Sequence, residues 1–597
     1  MKPMRPEDRI LDHLRFLYGS EQGQETWKAL QAILDDFRQR NPHLAEHVPP
    51  PEERLTERDS FLITYADQVR EPGQRPLRTL GDFLATHVAE VVHGVHLLPF
   101  FPYSSDDGFS VIDYYQVNPD FGTWDDVAAI GQHVRLMFDA VINHISRQSA
   151  WFQAFLRGES PYTDFFIVVD PSTDLSQVVR PRATPLLTPV ETAEGVKYVW
   201  TTFSSDQVDL NYKNPAVLLE ILKVLLFYVE KGADVIRLDA IAYLWKEIGT
   251  PCIHLPQTHR VVKLFRAVLD AVAPGVILIT ETNVPHEENI SYFGDGTDEA
   301  QMVYNFALPP LVLHTFRTGN AERLTRWAQT LSTPSPLTTF FNFIASHDGI
   351  GVMPARGLLS EAEIQALVDQ TLAHGGRVSY KANPDGSKSV YELNITLYDA
   401  LNDPHDPDPE RDVARFMASQ VIMLSLAGVP GIYVHSLFGS RNCYRCLEET
   451  GHPRSINREK FDRATLEAEL ADPTSLPHRV FEAYRHLLAE RQGQPAFHPN
   501  GPQRVLALNP AFFTVVRTPP PDRHQGGGAE AVLCLVNVTP DSHRLNLSLG
   551  ELELPPAPRW HDLIGGGHFT AEDGRLRLSV SPYQALWLVP QPNTAGS

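Results

Sequence analysis

The chain has 597 residues, of which 43% are hydrophobic and 21% are charged. This ordinary globular composition excludes a mainly disordered chain and a small disulfide-stapled scaffold. The net charge of −22 at pH 7 has the wrong sign for binding nucleic-acid phosphates or an anionic membrane surface. We therefore expect small-molecule partners, with no nucleic acid and no membrane, and an anionic substrate would require a local cluster of arginines.

The N-terminal sequence MKPMRPEDRILDH lacks the apolar segment of a signal peptide, and no run of about 18 apolar residues occurs in the chain. Both observations predict a cytoplasmic protein. The four cysteines are too few for a disulfide framework. Cys443 and Cys446 have CxxC spacing, but no second pair of cysteines or histidines stands nearby at metal-binding spacing, so we interpret them as part of an ordinary loop.

The two ends of the chain differ in pattern from its middle. Residues 1–57 predict a helical extension, because apolar residues recur at helical spacing around Ile10 and Trp27 before three prolines at 49–51. Residues 501–597 contain short alternating runs without helices between them, such as AVLCLVNVT and RLRLSV. This alternation predicts a small antiparallel β domain.

The middle of the chain, residues 58–500, alternates short apolar runs with helical stretches. Eight runs are candidate strands: SFLITYA, VVHGVHLLPF, VRLMFDAVIN, ADVIRLDA, GVILITETN, MVYNFALP, TTFFNFIASHD and GVPGIYV. Runs without polar alternation suit strands buried on both faces, so eight of them predict an α/β fold with a closed (β/α)₈ TIM barrel. Insertions at 145–205 and 350–415 are expected to form two loop-inserted subdomains over the mouth.

Polar side chains collect at the C-terminal ends of four of these runs. They are Asp139, Asn143 and His144 in DAVINH, Arg237 and Asp239 in VIRLDA, Glu281 in ILITETN, and His347 and Asp348 in IASHDG. The carboxyl ends of barrel strands meet at one mouth, which is where such enzymes carry their chemistry. Each residue alone fits an ordinary helix cap or backbone contact, but together they supply the acid, the base and the charge stabilisers that cleavage of a glycosidic bond needs.

The segments DAVINH, VIRLDA, ITET and ASHD resemble, in this order, the signature regions of glycoside hydrolase family 13, the α-amylase family. The segments ITYADQ, LLPFFPYSSDDGF, FALPPLVLHT, SHDGIGV and SINR are similar to its sucrose phosphorylase branch. The resemblance implies a glycosyltransferase that acts as a disaccharide phosphorylase. Such an enzyme transfers an α-glucosyl group with retention, through a covalent β-glucosyl-enzyme.

The resemblance also implies roles for the catalytic residues. Asp239 would be the nucleophile and Glu281 the general acid, and retention needs their carboxyl groups about 5–5.5 Å apart. Arg237, on the same face of the strand as Asp239, would hydrogen-bond the nucleophile. Asp348 would hold the 2- and 3-hydroxyls of the sugar, with His347 on a neighbouring hydroxyl.

The same resemblance assigns the remaining glucose-binding residues. His144 would bind a further hydroxyl, Asp106 and Arg458 would close the pocket around glucose O4, and Phe109 would form a stacking wall. Gln207 fits a further family region that supports the first insertion. Amylases use the residue matching Asn143 as a calcium ligand, whereas this branch is generally metal-free, so we expect no metal and no cofactor, with inorganic phosphate as co-substrate.

The acceptor side is predicted from loop cations and from a narrower resemblance. The N-terminal extension and the segments HGGRVSYKANPDGSKSVYELNIT and HSLFGSRNCYRCLEETGHPRSINREKF look like the subgroup of glucosylglycerate phosphorylases. These enzymes cleave 2-O-α-D-glucosyl-D-glycerate with phosphate to α-glucose 1-phosphate and D-glycerate. Arg182, Arg377 and Lys381 would then anchor the carboxylate or phosphate.

Several alternatives stay open from sequence. Sucrose phosphorylase, sucrose 6′-phosphate phosphorylase and glucosylglycerol phosphorylase share the chemistry and differ in the acceptor, and an α-glucosidase-type hydrolase would lack the phosphate step. A catalytically inactive accessory protein is disfavoured because Asp239, Glu281 and Asp348 occur together. Dimers occur in this branch, which leaves a homodimer open.

Overall fold

The computed structural model describes residues 4–46, 48–383, 386–521 and 531–591. Eight parallel strands close into a barrel, and each corresponds to one of the eight predicted runs, so the predicted barrel is confirmed. The strands are β1 (Phe61–Thr64), β2 (Gly94–Leu97), β3 (Arg135–Ala140), β4 (Ala233–Leu238), β5 (Ile277–Thr280), β6 (Met302–Tyr304), β7 (Thr339–Asn342) and β8 (Val429–Tyr433). Their order around the barrel follows the chain, so β4 and β5 are neighbours.

Two glycines let large rings fill the barrel interior. A Cβ at Gly94 would overlap the ring of Phe61, and a Cβ at Gly431 would overlap the ring of Phe341. The two rings meet edge to face, with centroids 6.2 Å apart. Small residues facing large ones on neighbouring strands therefore give the barrel a close-packed interior rather than a pore.

Helices cover the outside of the barrel and connect its strands. They span Pro76–His87, Trp124–Gly131, Pro215–Glu230, Pro256–Val272, His286–Ile290, Leu308–Thr318, Glu322–Ala328, Pro409–Ser425, Val434–Leu437, Tyr444–Thr450, Arg463–Ala471 and Leu476–Gln492. Several begin with proline directly after a capping residue, as where the Asn214 side chain accepts a hydrogen bond from the Ala216 N–H. Within the described residues, no helix is both long and apolar enough to cross a membrane.

The N-terminal region 1–57 contains the helices Pro6–Tyr18 and Ser20–Arg40. The first of them packs on the barrel helix Pro256–Val272, where Arg9 forms an ion pair with Asp270 at 2.6 Å. Ile10 and Leu14 are fully buried in this contact region. The extension therefore covers the outer side of the helix that precedes β5, along its length from Arg260 to Asp270.

Both insertions fold into short elements above the mouth. The first contains the helix Ala150–Leu156, the hairpin Leu187–Thr192 with Gly195–Trp200, and the paired strands His144–Ser146 and Gln207–Asp209. The second contains the helices Glu361–Ala373 and Leu397–Leu401 and a three-stranded sheet of Ile350–Gly351, Lys388–Asn394 and Arg377–Ala382. A further parallel pair joins Val69–Arg70 to Phe461–Asp462.

The C-terminal part of the chain is an antiparallel sheet, as the alternating runs predict. In spatial order its strands are Gln503–Val505, Phe512–Arg517, Val532–Asn537, Ala585–Gln591, Arg559–Asp562, His568–Glu572, Arg575–Val580 and His543–Ser548. Two stretches of the predicted domain 501–597, residues 522–530 and 592–597, lie outside the described residues. One face of the sheet has its own apolar core around Trp560 and Leu533.

A buried arginine joins this sheet to the barrel. The Arg517 guanidinium donates hydrogen bonds to the backbone carbonyls of Ser425, His498 and Gly501, at 3.1, 2.8 and 3.3 Å. Burial lowers the pKa of Arg517 to about 10. Arg517 thus supplies a hydrogen bond to three backbone carbonyls at the junction, of which that of His498 also accepts one from the Gly501 N–H at 2.8 Å.

We predict that Arg517→Met lowers the free energy of unfolding by about 3 kcal/mol, because buried carbonyls lose their donor. The measurement is the thermal unfolding midpoint of each variant relative to the wild type. Arg577→Met is the matched control, since Arg577 lies in the same sheet and is 67% exposed beside Glu572. Equal midpoints for the two variants would contradict this account of the domain junction.

Candidate active site

A cavity of about 630 Å³ opens at the C-terminal ends of the barrel strands. The predicted residues that line it are Asp106, Phe109, His144, Arg182, Gln207, Asp239, Glu281, His347 and Asp348. Residues that sequence reasoning did not single out also line it, including Phe203, Tyr243, Tyr391, Glu392 and Arg454. The cavity therefore unites side chains from β3, β4, β5 and β7 with side chains from both insertions.

The predicted nucleophile is held by a buried arginine. Arg237 lies in β4, two residues before Asp239, and its Nη1 lies 2.9 Å from Asp239 Oδ1. The same nitrogen bonds Asp139 of β3, whose other oxygen lies 2.6 Å from His96 Nε2. Burial raises the pKa of Asp239, and the guanidinium of Arg237 opposes that rise. The arginine therefore fixes one carboxylate oxygen and leaves the other available to a substrate.

Glu281, the predicted acid, lies at the end of the neighbouring strand β5. Its Oε2 accepts a hydrogen bond from the Ala240 N–H at 3.1 Å and lies 3.8 Å from Arg237 Nη2. Ala240 has a φ of +47°, a left-handed conformation that turns its N–H toward Glu281. Burial, together with the negative charges of Asp239 and Asp348, raises the pKa of Glu281 to about 7. The group can thus carry a proton at neutral pH.

Asp348, which follows β7, remains charged. Although burial works in the opposite direction, the cation of Arg454 and the neighbouring His347 and Arg458 lower its pKa far below the usual range. The Arg454 Nη1 lies 2.6 Å from Asp348 Oδ1. Asp348 and Glu281 thus differ in state near neutral pH, because the pKa of Asp348 is lowered whereas that of Glu281 is raised to about 7.

The predicted sugar-binding wall is assembled around Phe109. Its ring stacks on His347, with centroids 4.9 Å apart and planes 3° apart. Its carbonyl oxygen lies 2.9 Å from His144 Nε2 and accepts a hydrogen bond of 2.9 Å from Gln207. Gln207 therefore lies in the cavity itself, joining the first insertion to this wall.

Asp106 and Arg458 lie together, but the arginine has another main partner. Arg458 Nη1 lies 2.7 Å from Asp107 Oδ2 and 3.7 Å from Asp106 Oδ1. Arg458 Nε also donates to the His347 carbonyl at 2.8 Å. Asp106 and Asp107 both have left-handed φ angles, 53° and 48°, which aim the two carboxylates toward the arginine. Asp106 is thus the member of this group that lines the cavity.

The cations predicted for the acceptor side separate in the structure. Arg182 lines the cavity, with its guanidinium over the rings of Phe203 and Tyr391 at 6.0 and 5.2 Å. Arg377 is exposed and donates to the carbonyls of Gly375 and Gly376. Among the described residues, the cavity lining includes Arg182 but neither Arg377 nor Lys381.

Lys381 lies outside the cavity lining, and its charged neighbours are Arg356 and Glu288. Burial and the nearby charge of Arg356 lower its pKa, while Glu288 opposes the change. The structure therefore brings one of the three predicted anchors into contact with the cavity. The other two lie in the same inserted strand, Arg377–Ala382, outside that lining.

Sequence reasoning missed Arg454, Glu392 and Tyr391. Arg454 precedes Arg458 by four residues in the segment RSINR, so the quoted motif contained a signal for it. Glu392 and Tyr391 stand in the second insertion, and no local pattern distinguishes them from its other residues. Glu392 is important because it pairs with Arg454, which is 62 residues away in sequence.

A buried lysine occupies the space next to Asn143. Lys246 Nζ donates to Asn143 Oδ1 at 2.8 Å and lies 2.6 Å from Asp209 Oδ2. Burial lowers the pKa of Lys246, and the Asp209 carboxylate opposes this effect. The Lys246 ammonium group thus lies against two oxygen atoms that could otherwise bind a metal ion.

The Cys443–Cys446 pair was expected to be an ordinary loop, and the structure corrects this. The two sulfurs form a disulfide at the start of the helix Tyr444–Thr450. The Glu459 carboxylate lies within 4.8 Å of both sulfurs. Sulfurs that are bonded to each other are not thiolates, so this group lacks the ligands of a metal site.

A (β/α)₈ barrel with one arginine-bound carboxylate and one proton-carrying carboxyl on adjacent strands defines an enzyme of glycosidic-bond chemistry. Residues 90–352 match the family model described as α-amylase, catalytic domain. A glucosylglycerate phosphorylase from Allomeiothermus silvanus is 52% identical over 99% of this chain and 100% of its own length. The chain belongs to the α-amylase family, glycoside hydrolase family 13.

Two further relatives support this placement. A sucrose phosphorylase from Streptococcus mutans is 29% identical over 77% of this chain and 92% of its own length. The crystal structure of sucrose 6F-phosphate phosphorylase from Thermoanaerobacter thermosaccharolyticum matches with a TM-score of 0.69 at 26% identity, covering 81% of this chain and 94% of that one. The predicted family and fold class are therefore confirmed.

We predict that kcat/KM for an unactivated α-glucoside falls as the pH rises through about 7, approaching tenfold per unit above it. The value of kcat/KM falls with rising pH because only protonated Glu281 can serve as the acid. Its raised pKa keeps Glu281 protonated up to about neutral pH. The measurement is a pH–rate profile. α-Glucosyl fluoride is the control, because fluoride departs without a proton and its profile should lack this fall. The same fall with both donors would contradict the role of Glu281.

Proposed function

We propose that this chain is a retaining phosphorylase that converts 2-O-α-D-glucosyl-D-glycerate and inorganic phosphate to α-glucose 1-phosphate and D-glycerate. One observation carries the proposal: relatives named glucosylglycerate phosphorylase are 43–52% identical over 98–99% of the chain. Sucrose and glucosylglycerol phosphorylases are 29–30% identical over smaller shares. The active-site geometry supplies the chemistry of such a reaction.

In the first half-reaction, Asp239 attacks the anomeric carbon and Glu281 protonates the departing oxygen. Arg237 orients the attacking carboxylate through its bond to Oδ1. Asp348 stays charged beside Arg454 and favours the positive charge that develops on the sugar ring. The bond to glycerate breaks while the bond from the sugar to Asp239 forms.

In the second half-reaction, phosphate attacks the glucosyl-enzyme and releases Asp239. The negative charge of Asp239 contributes to the raised pKa of Glu281. Esterification removes that charge, so the pKa of Glu281 falls at this stage. The same carboxyl group can then accept the proton of the attacking phosphate, as retention requires.

The acceptor is an anion in this proposal, and Arg182 is the cavity cation that faces it. Phe203 and Tyr391 flank its guanidinium, which leaves the nitrogen atoms directed at a bound carboxylate or phosphate. Arg377 and Lys381 remain candidate anchors in the second insertion. We propose that a short donor occupies the cavity and that the leaving group and phosphate bind there in turn.

We further propose that the enzyme needs neither a metal nor a cofactor. The position of Lys246 Nζ against Asn143 and Asp209 supports this, since one ammonium group meets the oxygens that a calcium ion would need. A cytoplasmic location and a homodimer are also proposals. The location rests on the small number of cysteines, and the homodimer rests on the family resemblance.

We predict that the wild type releases glucose 1-phosphate mainly from glucosylglycerate, and only when inorganic phosphate is present. The measurement compares glucosylglycerate, sucrose, sucrose 6′-phosphate and glucosylglycerol, each with and without phosphate. Asp239→Asn is the inactive control. Preference for another donor would overturn the proposed acceptor, and free glucose released without phosphate would indicate a hydrolase.

We predict that a chelator leaves activity and the unfolding midpoint unchanged, whereas Lys246→Met lowers stability by about 3–5 kcal/mol. The lysine variant leaves the Asp209 carboxylate buried without its cation. Lys213→Met is the matched control, because Lys213 is 48% exposed in its pair with Glu247. Loss of activity in chelator that returns with calcium would contradict the metal-free proposal.

A further inference from the structure

Glu392 is a buried carboxylate that the reaction described above does not use. It lies in the inserted strand Lys388–Asn394, is 2% exposed, and lines the cavity. Its backbone neighbours in the three-stranded sheet are Gly351 and Ser379, so the sheet fixes its position. A buried negative charge beside a substrate cavity acts through little screening.

Glu392 neutralises one of the two cavity arginines. It binds Arg454 through two bonds, from Nη2 to Oε1 at 2.6 Å and from Nε to Oε2 at 3.1 Å. The remaining nitrogen of Arg454 lies 2.6 Å from Asp348. Each of the three nitrogens of Arg454 therefore contacts a carboxylate, which leaves two of its five N–H groups for other partners.

Arg182 is held much more loosely by the same carboxylate. Its Nη1 lies 3.7 Å from Glu392 Oε1, beyond hydrogen-bonding distance. Its other close neighbours are the rings of Phe203 and Tyr391, which accept no strong hydrogen bond. Among the described residues that line the cavity, Arg182 is thus the arginine that forms no hydrogen bond with a carboxylate.

Two arginines, Arg182 and Arg454, and two carboxylates, Glu392 and Asp348, lie on the proposed acceptor side, and both carboxylates bond Arg454 rather than Arg182. A leaving group with one negative charge can pair with Arg182, whose contact to Glu392 is 3.7 Å long. A leaving group with two negative charges would place the second beside Glu392 in a buried environment, where like charges repel strongly. A neutral leaving group would leave Arg182 without a partner.

We propose that Glu392 is a specificity-determining residue that restricts the acceptor site to small, singly charged carboxylates. It acts by occupying Arg454 and by repelling a second negative charge from Arg182. The proposal rests on the proposed function, because it assumes that the leaving group binds beside Arg182. If Glu392 has this role, a phosphorylated sugar should be a poor leaving group for this enzyme.

The first test compares donors in Glu392→Gln at saturating phosphate. We expect the ratio of kcat/KM for sucrose 6′-phosphate to that for glucosylglycerate to rise by about tenfold or more. Glu361→Gln, in the same insertion and 78% exposed, is the matched control and should leave the ratio unchanged. An unchanged ratio in Glu392→Gln, with both donors slowed equally, would show a purely structural role and overturn the proposal.

The second test needs no variant and therefore does not depend on folding of Glu392→Gln. D-Glycerate and tartronate are of similar size, and tartronate carries a second carboxylate. We expect glycerate to inhibit the wild type at least about tenfold more strongly than tartronate. Equal or stronger inhibition by tartronate would overturn the proposal even if the wild type cleaves glucosylglycerate. A wild type that does not cleave it would instead refute the proposed function.

Discussion

The buried guanidinium of Arg237 is the interaction on which the active site depends. It is 2% exposed, and such a charge is tolerated inside a barrel only where carboxylates surround it. Asp139 on β3, Asp239 on β4 and Glu281 on β5 supply them from three adjacent strands. Arg237 thus sets the spacing between Asp239, the proposed nucleophile, and Glu281, the proposed acid, because both carboxyl groups lie against its guanidinium.

This arrangement also explains why the pKa values of the neighbouring Asp348 and Glu281 shift in opposite directions. Arg237 bonds Asp239 directly at 2.9 Å but lies 3.8 Å from Glu281, so it favours the charged form of the first group more strongly. Arg454 does the same for Asp348. Glu281 is left with burial and two negative neighbours, which together favour its protonated form. The roles proposed for Asp239, Glu281 and Asp348 are therefore consistent with the positions of two arginines.

The inserted regions complete the site rather than merely cover it. Glu392 comes from the second insertion and reaches Arg454, which follows β8, and Arg454 in turn reaches Asp348 after β7. This chain of ion pairs connects the proposed acceptor side to Asp348, the carboxylate that we propose binds glucose. A change in the insertion would therefore affect both affinity for the acceptor and the charge beside the sugar.

The barrel strands and the residues at their ends could be predicted because both follow from local patterns. Apolar runs mark buried strands, and a polar residue that ends such a run must face the mouth. The Glu392–Arg454 pair could not be predicted, since no local pattern marks contacts between an inserted strand and a distant turn. Arg377 illustrates the converse, because its position in a basic segment does not reveal that its side chain turns to nearby carbonyls.

The disulfide between Cys443 and Cys446 was missed for a related reason. Composition excluded a framework of several disulfides, and that argument does not exclude a single bridge within one turn. Spacing of two intervening residues is compatible with a loop, a metal site or a bridge. The backbone geometry at the start of the helix Tyr444–Thr450 decides among them.

The most direct test of the account is mass spectrometry of the Glu281→Gln variant after brief reaction with α-glucosyl fluoride. Without its acid and base, the variant should form the glucosyl-enzyme from this activated donor and discharge it slowly. We expect an added glucosyl group on the peptide that contains Asp239. We expect no added glucosyl group in Asp239→Asn. A glucosyl group on another residue, or retained reaction without Asp239, would contradict the account.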